Sequence, residues 1–349
     1  MPSPIPPLPP VTTATRPVRS NMVIRNLRQE PGDLRAMMAL LKALWKLRPP
    51  GEPEAPGARL IRRWREKRLL ARLERDWPGG SVLHRTGDLV HVPSPLDARG
   101  RHALLHPPHV HPAVLGFLQT GSVVIDVGAN LGEWAVPFAR KVGPAGRVLA
   151  IEPAPRSATA LETTLAANSL VQAELIRCAI GDHDGIAQFA VPVVMSARTD
   201  TGTARIGPAC TGHDALQVPL RRLDSLAAER GLARLDLIKI DVEGHERQVL
   251  DGAAAILERH RPVLVIETGH EGDGDRAAIH DRLAGLGYRM LGILLDYGMA
   301  SAEWPAYVAR DPPFCAGDAH NLLLVPDRVS SRVSGGEPAP RRGHGPSHH

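Results

Sequence analysis

The 349-residue sequence predicts an α/β protein built on a doubly wound parallel sheet. Three observations predict it. Strand-like and helix-like segments alternate from Ser81 to Val325. An apolar strand, Val123-Val124-Ile125-Asp126-Val127, runs straight into the glycine-rich turn Gly128-Ala129-Asn130-Leu131-Gly132. Acids then recur at the ends of successive predicted strands, at Asp126, Glu152, Asp241 and Glu267. Seven strands are expected in the main sheet: Val123–Val127, Arg147–Glu152, Ala173–Cys178, Leu235–Asp241, Val263–Glu267, Tyr288–Leu294 and His320–Val325.

Taken in chain order, residues 1–30 are rich in proline and read as a disordered tail. Residues 31–78 read as a basic helical arm. Leu34, Met37, Met38, Leu41, Leu44 and Trp45 form one helical stripe, and a second helical pattern runs from Ala58 to Trp77. Residues 79–326 form the main domain, entered through a small hairpin, Ser81–His84 with Leu89–Val92, across Thr86-Gly87. His102, His106, His109 and His111 lie among prolines without cysteine partners, so an exposed loop is expected rather than a zinc site. Between Gly185 and Leu226 an apolar alternation, a polar loop from Ser196 to Asp214 and the run Gln217-Val218-Pro219-Leu220 predict an inserted hairpin. Its loop could overhang the site. Residues 327–349 lack apolar mass and are expected to be disordered.

Composition narrows the function classes. Twelve aromatic residues are too few to suggest platforms for stacking single-stranded nucleic acid. The net charge of +5 divides into +9 over residues 1–76 and −4 over the rest, so a nucleic-acid partner would have to use the arm. Three scattered cysteines make neither a disulfide framework nor a metal motif, which suits a reducing cytoplasm. The proline-broken N-terminus does not read as a signal peptide, and no apolar run is long enough for a transmembrane helix.

The glycine turn implies a nucleotide-containing cofactor held where a strand gives way to a helix. A dinucleotide loop would need glycine where Asn130 stands, because pyrophosphate requires close backbone approach. A carboxylate at Asp126 repels a diphosphate but suits an ammonium, such as that on the methionine half of S-adenosyl-L-methionine. Glu152, ending the next strand, can accept both ribose hydroxyls, and Asp182 after the third strand could accept from the adenine amino group. The expected cofactor-binding residues are therefore Asp126, Gly128, Ala129, Asn130, Gly132, Glu152, Pro153 and Asp182.

The second constellation is Asp236-Leu237-Ile238-Lys239-Ile240-Asp241-Val242-Glu243-Gly244-His245-Glu246. Period-two alternation puts Lys239 and Asp241 on one strand face, with Asp241 at the carboxyl end where an acceptor should sit. Asp241, Glu243, His245, Glu267 and Lys239 are the candidate catalytic residues, with His270 a further candidate base. Glu246 can be read simply as an acid favouring a helix N-terminus. Asp241 and Glu243 alone give two hard oxygen ligands without a third, so no metal is assigned.

At these residues the sequence resembles the FkbM-type S-adenosylmethionine-dependent methyltransferases. The likeness rests on Val124 to Gly132, Ala150-Ile151-Glu152-Pro153, Ala179-Ile180-Gly181-Asp182, Leu223-Asp224-Ser225-Leu226 and Leu237 to Glu246, and spans about residues 80–326. It implies a class I methyltransferase sheet of seven strands with the last antiparallel. It also implies methylation of a hydroxyl on a small-molecule or carbohydrate acceptor. The sequence departs from the family at Gly132-Glu133-Trp134-Ala135, where a hydroxyl side chain is usual, and Pro137 stands early in the following helix. Two other readings stay open: an RNA methyltransferase using the basic arm, and a nicotinamide-dependent oxidoreductase.

Overall fold

The computed structural model describes residues 24–25, 68, 80–94, 98–192, 205–207, 213–272, 274–295, 298–315 and 320–327. The expected arm helices and both tails lie outside the described residues, apart from the short strand β1 (Ile24–Arg25) and Arg68. β1 pairs in parallel with β2 (Gly80–Leu83), which forms the expected hairpin with β3 (Leu89–Val92).

The main sheet contains β4 (Val123–Val127), β5 (Arg147–Ile151), β6 (Ala173–Ile176), β11 (Leu237–Ile240), β12 (Val263–Thr268), β13 (Tyr288–Leu295), β14 (Gly298–Ala300) and β15 (His320–Pro326). Their order across the sheet is β14-β13-β15-β12-β11-β4-β5-β6. The chain winds outward from β4 through β5 to β6, then returns to start β11 on β4's other side. That reversal between β4 and β11 is a topological switch point, and ligands of such sheets bind outside the strands' carboxyl ends there. β15 runs antiparallel to both neighbours, as expected of the last strand. The sheet has eight strands rather than the expected seven, because β14 folds back on the end of β13 as an extra edge. Three residues of Gly-Met-Ala carry no periodicity from which a strand could be read.

Both faces of the central strands are buried, which is why they read as continuous apolar runs. Ile125, Val127, Leu149, Ile151, Ile238, Ile240, Leu264 and Ile266 pack toward the helices Leu223–Glu229, Glu246–Asp251, Ala254–His260 and Asp275–Gly285. Val124, Val148, Ala150, Leu237, Val263 and Val265 pack on the opposite face against Pro112–Leu115, Ala135–Val142 and Pro155–Ala167. By this parity Asp126, Glu152, Lys239, Asp241 and Glu267 all belong to the second face, at or beyond the ends of its apolar rows.

The inserted hairpin is present between the third and fourth parallel strands. β8 (Gly185–Pro192) pairs antiparallel with β10 (His213–Arg221), flanked by β7 (Ala179–Ile180) and β9 (Arg205–Ile206). The expected strand through Cys178 ends at Ile176, since the chain then leaves the main sheet to pair with β10. Most of the polar loop lies outside the described residues. Pro137 does not break its helix: it sits in the first turn, where a backbone N–H has no intrahelical partner in any case. The histidine-rich stretch is not wholly a loop either, because Ala98–Leu105 is helical and His111 caps Pro112–Leu115 by accepting from Ala113 N–H at 3.1 Å.

The insertion's base is packed against the end of the helix Glu246–Asp251. A side chain starting at Gly252 would meet the Gly181 carbonyl oxygen at 1.9 Å. Gly252→Ala should therefore force the β7–β10 base away and lower stability by about 1–3 kcal/mol. A denaturant midpoint equal to that of the wild type would show that the contact relaxes freely.

Candidate active site

The strand ends at the switch point open into a cavity lined by residues from three sources. Val127, Gly128, Asn130, Ile151, Glu152 and Pro153 come from the first two strand ends, and Asp241, Val242 and Glu243 from β11's end. Cys178, Ala179, Ile180, Phe189 and Ile206 come from the insertion, as the expected overhang requires, and Arg99 from the helix before the main sheet.

The floor is organised by Lys239, whose side chain is 2% exposed. Its Nζ donates to Gly128 O at 2.9 Å and lies 3.4 Å from Val127 O, 3.4 Å from Asp126 Oδ1 and 3.2 Å from Asp241 Oδ2. Burial works against the ammonium, but Asp241 and Asp126 outweigh it and raise its pKa. A lysine held charged in this way is a positioning group and cannot act as a base. Asp126 is completely buried, its carboxyl is pushed up by burial, and it does not line the cavity. The ammonium it faces is that of Lys239.

The glycine loop turns away from solvent. Gly128 and Ala129 N–H both donate to Ile151 O at 3.0 Å, Asn130 N–H donates to Glu152 Oε2 at 2.9 Å, and Gly132 N–H donates to Ala129 O at 2.9 Å. Four donors that a phosphate would need are thus engaged within the protein. The turn is tight for steric reasons: Gly128 has φ +77°, and a Cβ there would lie 1.9 Å from Asp241 O. Asn130 adopts φ +46°, and its Oδ1 is buried without a partner. Glu152 receives Asn130 N–H on one oxygen and Ala154 N–H, at 2.8 Å, on the other. Burial nevertheless pushes its carboxyl up to about 7.

Asp241 and Glu243 on the cavity wall adjoin a cluster that includes Glu267 and His270, neither of which lines the cavity. Burial would raise Asp241, but Lys239 and Arg99 prevail and hold it at about 2. Glu267 is driven the other way, up to about 9, by burial and by Asp241 and Glu243. Arg99 lies 3.7 Å from Asp241, 3.9 Å from Glu243 and 3.5 Å from Glu133, while His270 Nε2 lies 3.3 Å from Glu243 Oε2. Glu243 sits at φ +56° in the loop after β11, where Glu246 Oε1 accepts from Gly244 N–H at 3.0 Å.

Not every expected site residue reaches the cavity. Asp182 is largely exposed and bonded to His183 at 2.7 Å; His245 stands at the N-cap position of the next helix without a side-chain capping bond, near Gly181, with burial lowering its pKa. Ala129 and Gly132 shape the turn from behind, Gly132 facing Leu161. Arg99, Cys178, Phe189 and Ile206 are additional lining residues, of which Phe189 and Ile206 lie in the insertion expected to overhang the site.

The chain is similar in sequence to known proteins. The family model for the methyltransferase FkbM domain matches residues 126–290. The chain is 31% identical over 230 residues to the 31-O-demethyl-FK506 methyltransferase FkbM of Streptomyces tacrolimicus, covering 59% of this chain and 81% of that protein. It is 29% identical over 219 residues to methyltransferase sdnD of Sordaria araneosa, covering 54% of this chain and 78% of that one. A solved structure of methyltransferase FkbM from Methylobacillus flagellatus KT is 19% identical, with a TM-score of 0.37, covering 60% of this chain and 45% of that one. On the extent and identity of the match to the Streptomyces protein, the chain belongs to the FkbM methyltransferase family.

Proposed function

We propose that this chain methylates a hydroxyl of a small organic or carbohydrate acceptor, using S-adenosyl-L-methionine. The observation that carries the reading is the glycine loop, whose N–H groups are engaged by β5 while the cavity beside it presents the Glu152 carboxylate. This lining is adverse to the diphosphate of a nicotinamide cofactor and suited to a nucleoside diol. A hydroxyl acceptor is supported by the Streptomyces relative, whose name describes an O-demethyl substrate.

Glu152 would accept the ribose hydroxyls, with Gly128, Asn130 and Pro153 forming the adjoining floor. Ile180, Phe189 and Ile206 would cover the base, and Asn130 Oδ1, orphaned and buried, is a free acceptor at the same end. When bound, the cofactor supplies a methyl group on a sulfonium, already activated toward displacement. The protein's work is to align the acceptor oxygen, exclude water and receive a proton. Asp241, held ionised, accepts the hydrogen bond of the acceptor hydroxyl and then its proton. Glu243 completes the polar end of the cavity, and Glu267 contacts Asp241 from off its lining. Lys239 and Asp126 act from beneath by fixing Asp241 and the Gly128 carbonyl.

Glu152→Ala should weaken calorimetric binding of S-adenosylhomocysteine by about 2–4 kcal/mol, the worth of one or two charge-assisted hydrogen bonds. Unchanged affinity would remove Glu152 from the diol. Asp241→Asn should lower kcat by about 100-fold or more while cofactor affinity changes only a few-fold, and full turnover by this variant on a true acceptor would exclude it as the base.

Glu152 also gives a pH signature in the free protein. Its folded pKa is raised from 4.5 to about 7, so the folded state holds a proton that the unfolded chain releases. Its contribution to stability is therefore complete below about pH 4.5 and is lost as pH rises through about 7. Between pH 5 and 8 the wild type should lose about 2–3 kcal/mol relative to Glu152→Gln. Parallel denaturation curves for the two proteins would contradict this.

A further inference from the structure

Resting on that reading of the site, we infer that Glu243, Glu267 and His270 form a divalent-cation site beside the Asp241–Glu243 end of the cavity. One carboxylate oxygen each from Glu243 and Glu267 and a ring nitrogen of His270 lie within 4.8 Å of one another. Ligands about 2.1 Å from a shared ion are about 3.0–3.4 Å apart, so closing the widest separation by at most about 1.4–1.8 Å seats a cation among them. His270 Nε2 and Glu243 Oε2 already stand at 3.3 Å.

One feature beyond the cluster itself points to a cation. Glu267 Oε2 is fully buried and has no hydrogen-bond partner, an oxygen whose burial costs free energy until something positive meets it. Asp241, Glu243 and Glu267 converge here, and the neighbouring Lys239 and Arg99 are drawn toward Asp126 and Glu133 as well. The donor set matters too: one imidazole with two carboxylates suits a borderline ion such as Mn²⁺, Fe²⁺ or Zn²⁺. Glu267 comes from the end of β12, Glu243 and His270 from the loops after β11 and β12. The loops are pressed together where Gly244 approaches the His270 carbonyl, as a Cβ on Gly244 would lie 2.6 Å from that oxygen.

A cation here would also assist the proton transfer, because coordination by a divalent ion lowers the pKa of a bound hydroxyl. The acceptor proton passes to Asp241 as the new O–C bond forms, and the breaking C–S bond leaves its electron pair on sulfur. Balance is complete without an oxidant or reductant.

Mn²⁺ binding to the full-length, chelator-treated chain, followed by electron paramagnetic resonance and calorimetry, tests the site. S-adenosylhomocysteine affinity is measured on the same samples. One Mn²⁺ per chain is expected, weakened at least 10-fold both in His270→Ala, a change at a half-exposed side chain, and in Glu267→Gln. S-adenosylhomocysteine affinity should stay within 2-fold. Comparison with the variants cancels stray binding by His344, His348 and His349. Absence of saturable Mn²⁺ binding, or binding that both variants retain, overturns the site while leaving the methyltransferase reading intact. Failure of S-adenosylhomocysteine to bind overturns the reading on which the site rests.

Discussion

The buried ammonium of Lys239 is the constraint on which the rest of the cavity depends. Taking a lysine out of water costs several kcal/mol unless its charge and its three donors are answered. Here two strand-end carbonyls and two carboxylates answer them, all from β4 and β11 or the turns that follow. Because Lys239 stands opposite Asp126 in the parallel register, the ammonium ties β4 to β11 at the switch point itself. Drawing the Val127 and Gly128 carbonyls inward commits the loop's N–H groups to the other side, where Ile151 and Glu152 receive them. One charge thus settles the turn's direction, the absence of an anion cradle among these donors, and the ionisation of Asp241.

This explains how much of the site was legible. Seven of the eight sheet strands announce themselves as apolar runs, and strand parity places Glu152, Lys239, Asp241 and Glu267 on one face. Periodicity within a strand does not say what stands across from it. The sequence argument sought an ammonium for Asp126 in a ligand, whereas register supplies one from the chain's own β11. Arg99 was hidden for a related reason: it lies on a short helix before the glycine loop, and nothing local reveals that this helix crosses the acceptor end. Asp182 follows the third strand as expected, but that strand swerves into the insertion at Ile176, and the side chain turns outward to His183.

Asp241 and Glu267 show how a single proton divides between neighbours. The two follow adjacent parallel strands and share the same surroundings, yet only Asp241 touches Lys239 at 3.2 Å and Arg99 at 3.7 Å. Two carboxylates this close do not both ionise readily, so the one with cationic partners takes the charge and the other keeps the proton. Environment, and not residue type, separates a hydrogen-bond acceptor from a neutral neighbour whose proton a metal ion would displace.

The cavity is also divided along its length. The insertion contributes Ile180, Phe189 and Ile206 as an apolar wall, whereas Asp241 and Glu243 after β11 and Arg99 from the helix before the main sheet contribute charge. An aromatic base gains from the first surface through area removed from water, and a hydroxyl is oriented by the second. Arg99 is more exposed than the Asp241 and Glu243 it stands beside, 27% against 14% and 10%, so the charge presented at this end is mixed rather than uniformly negative.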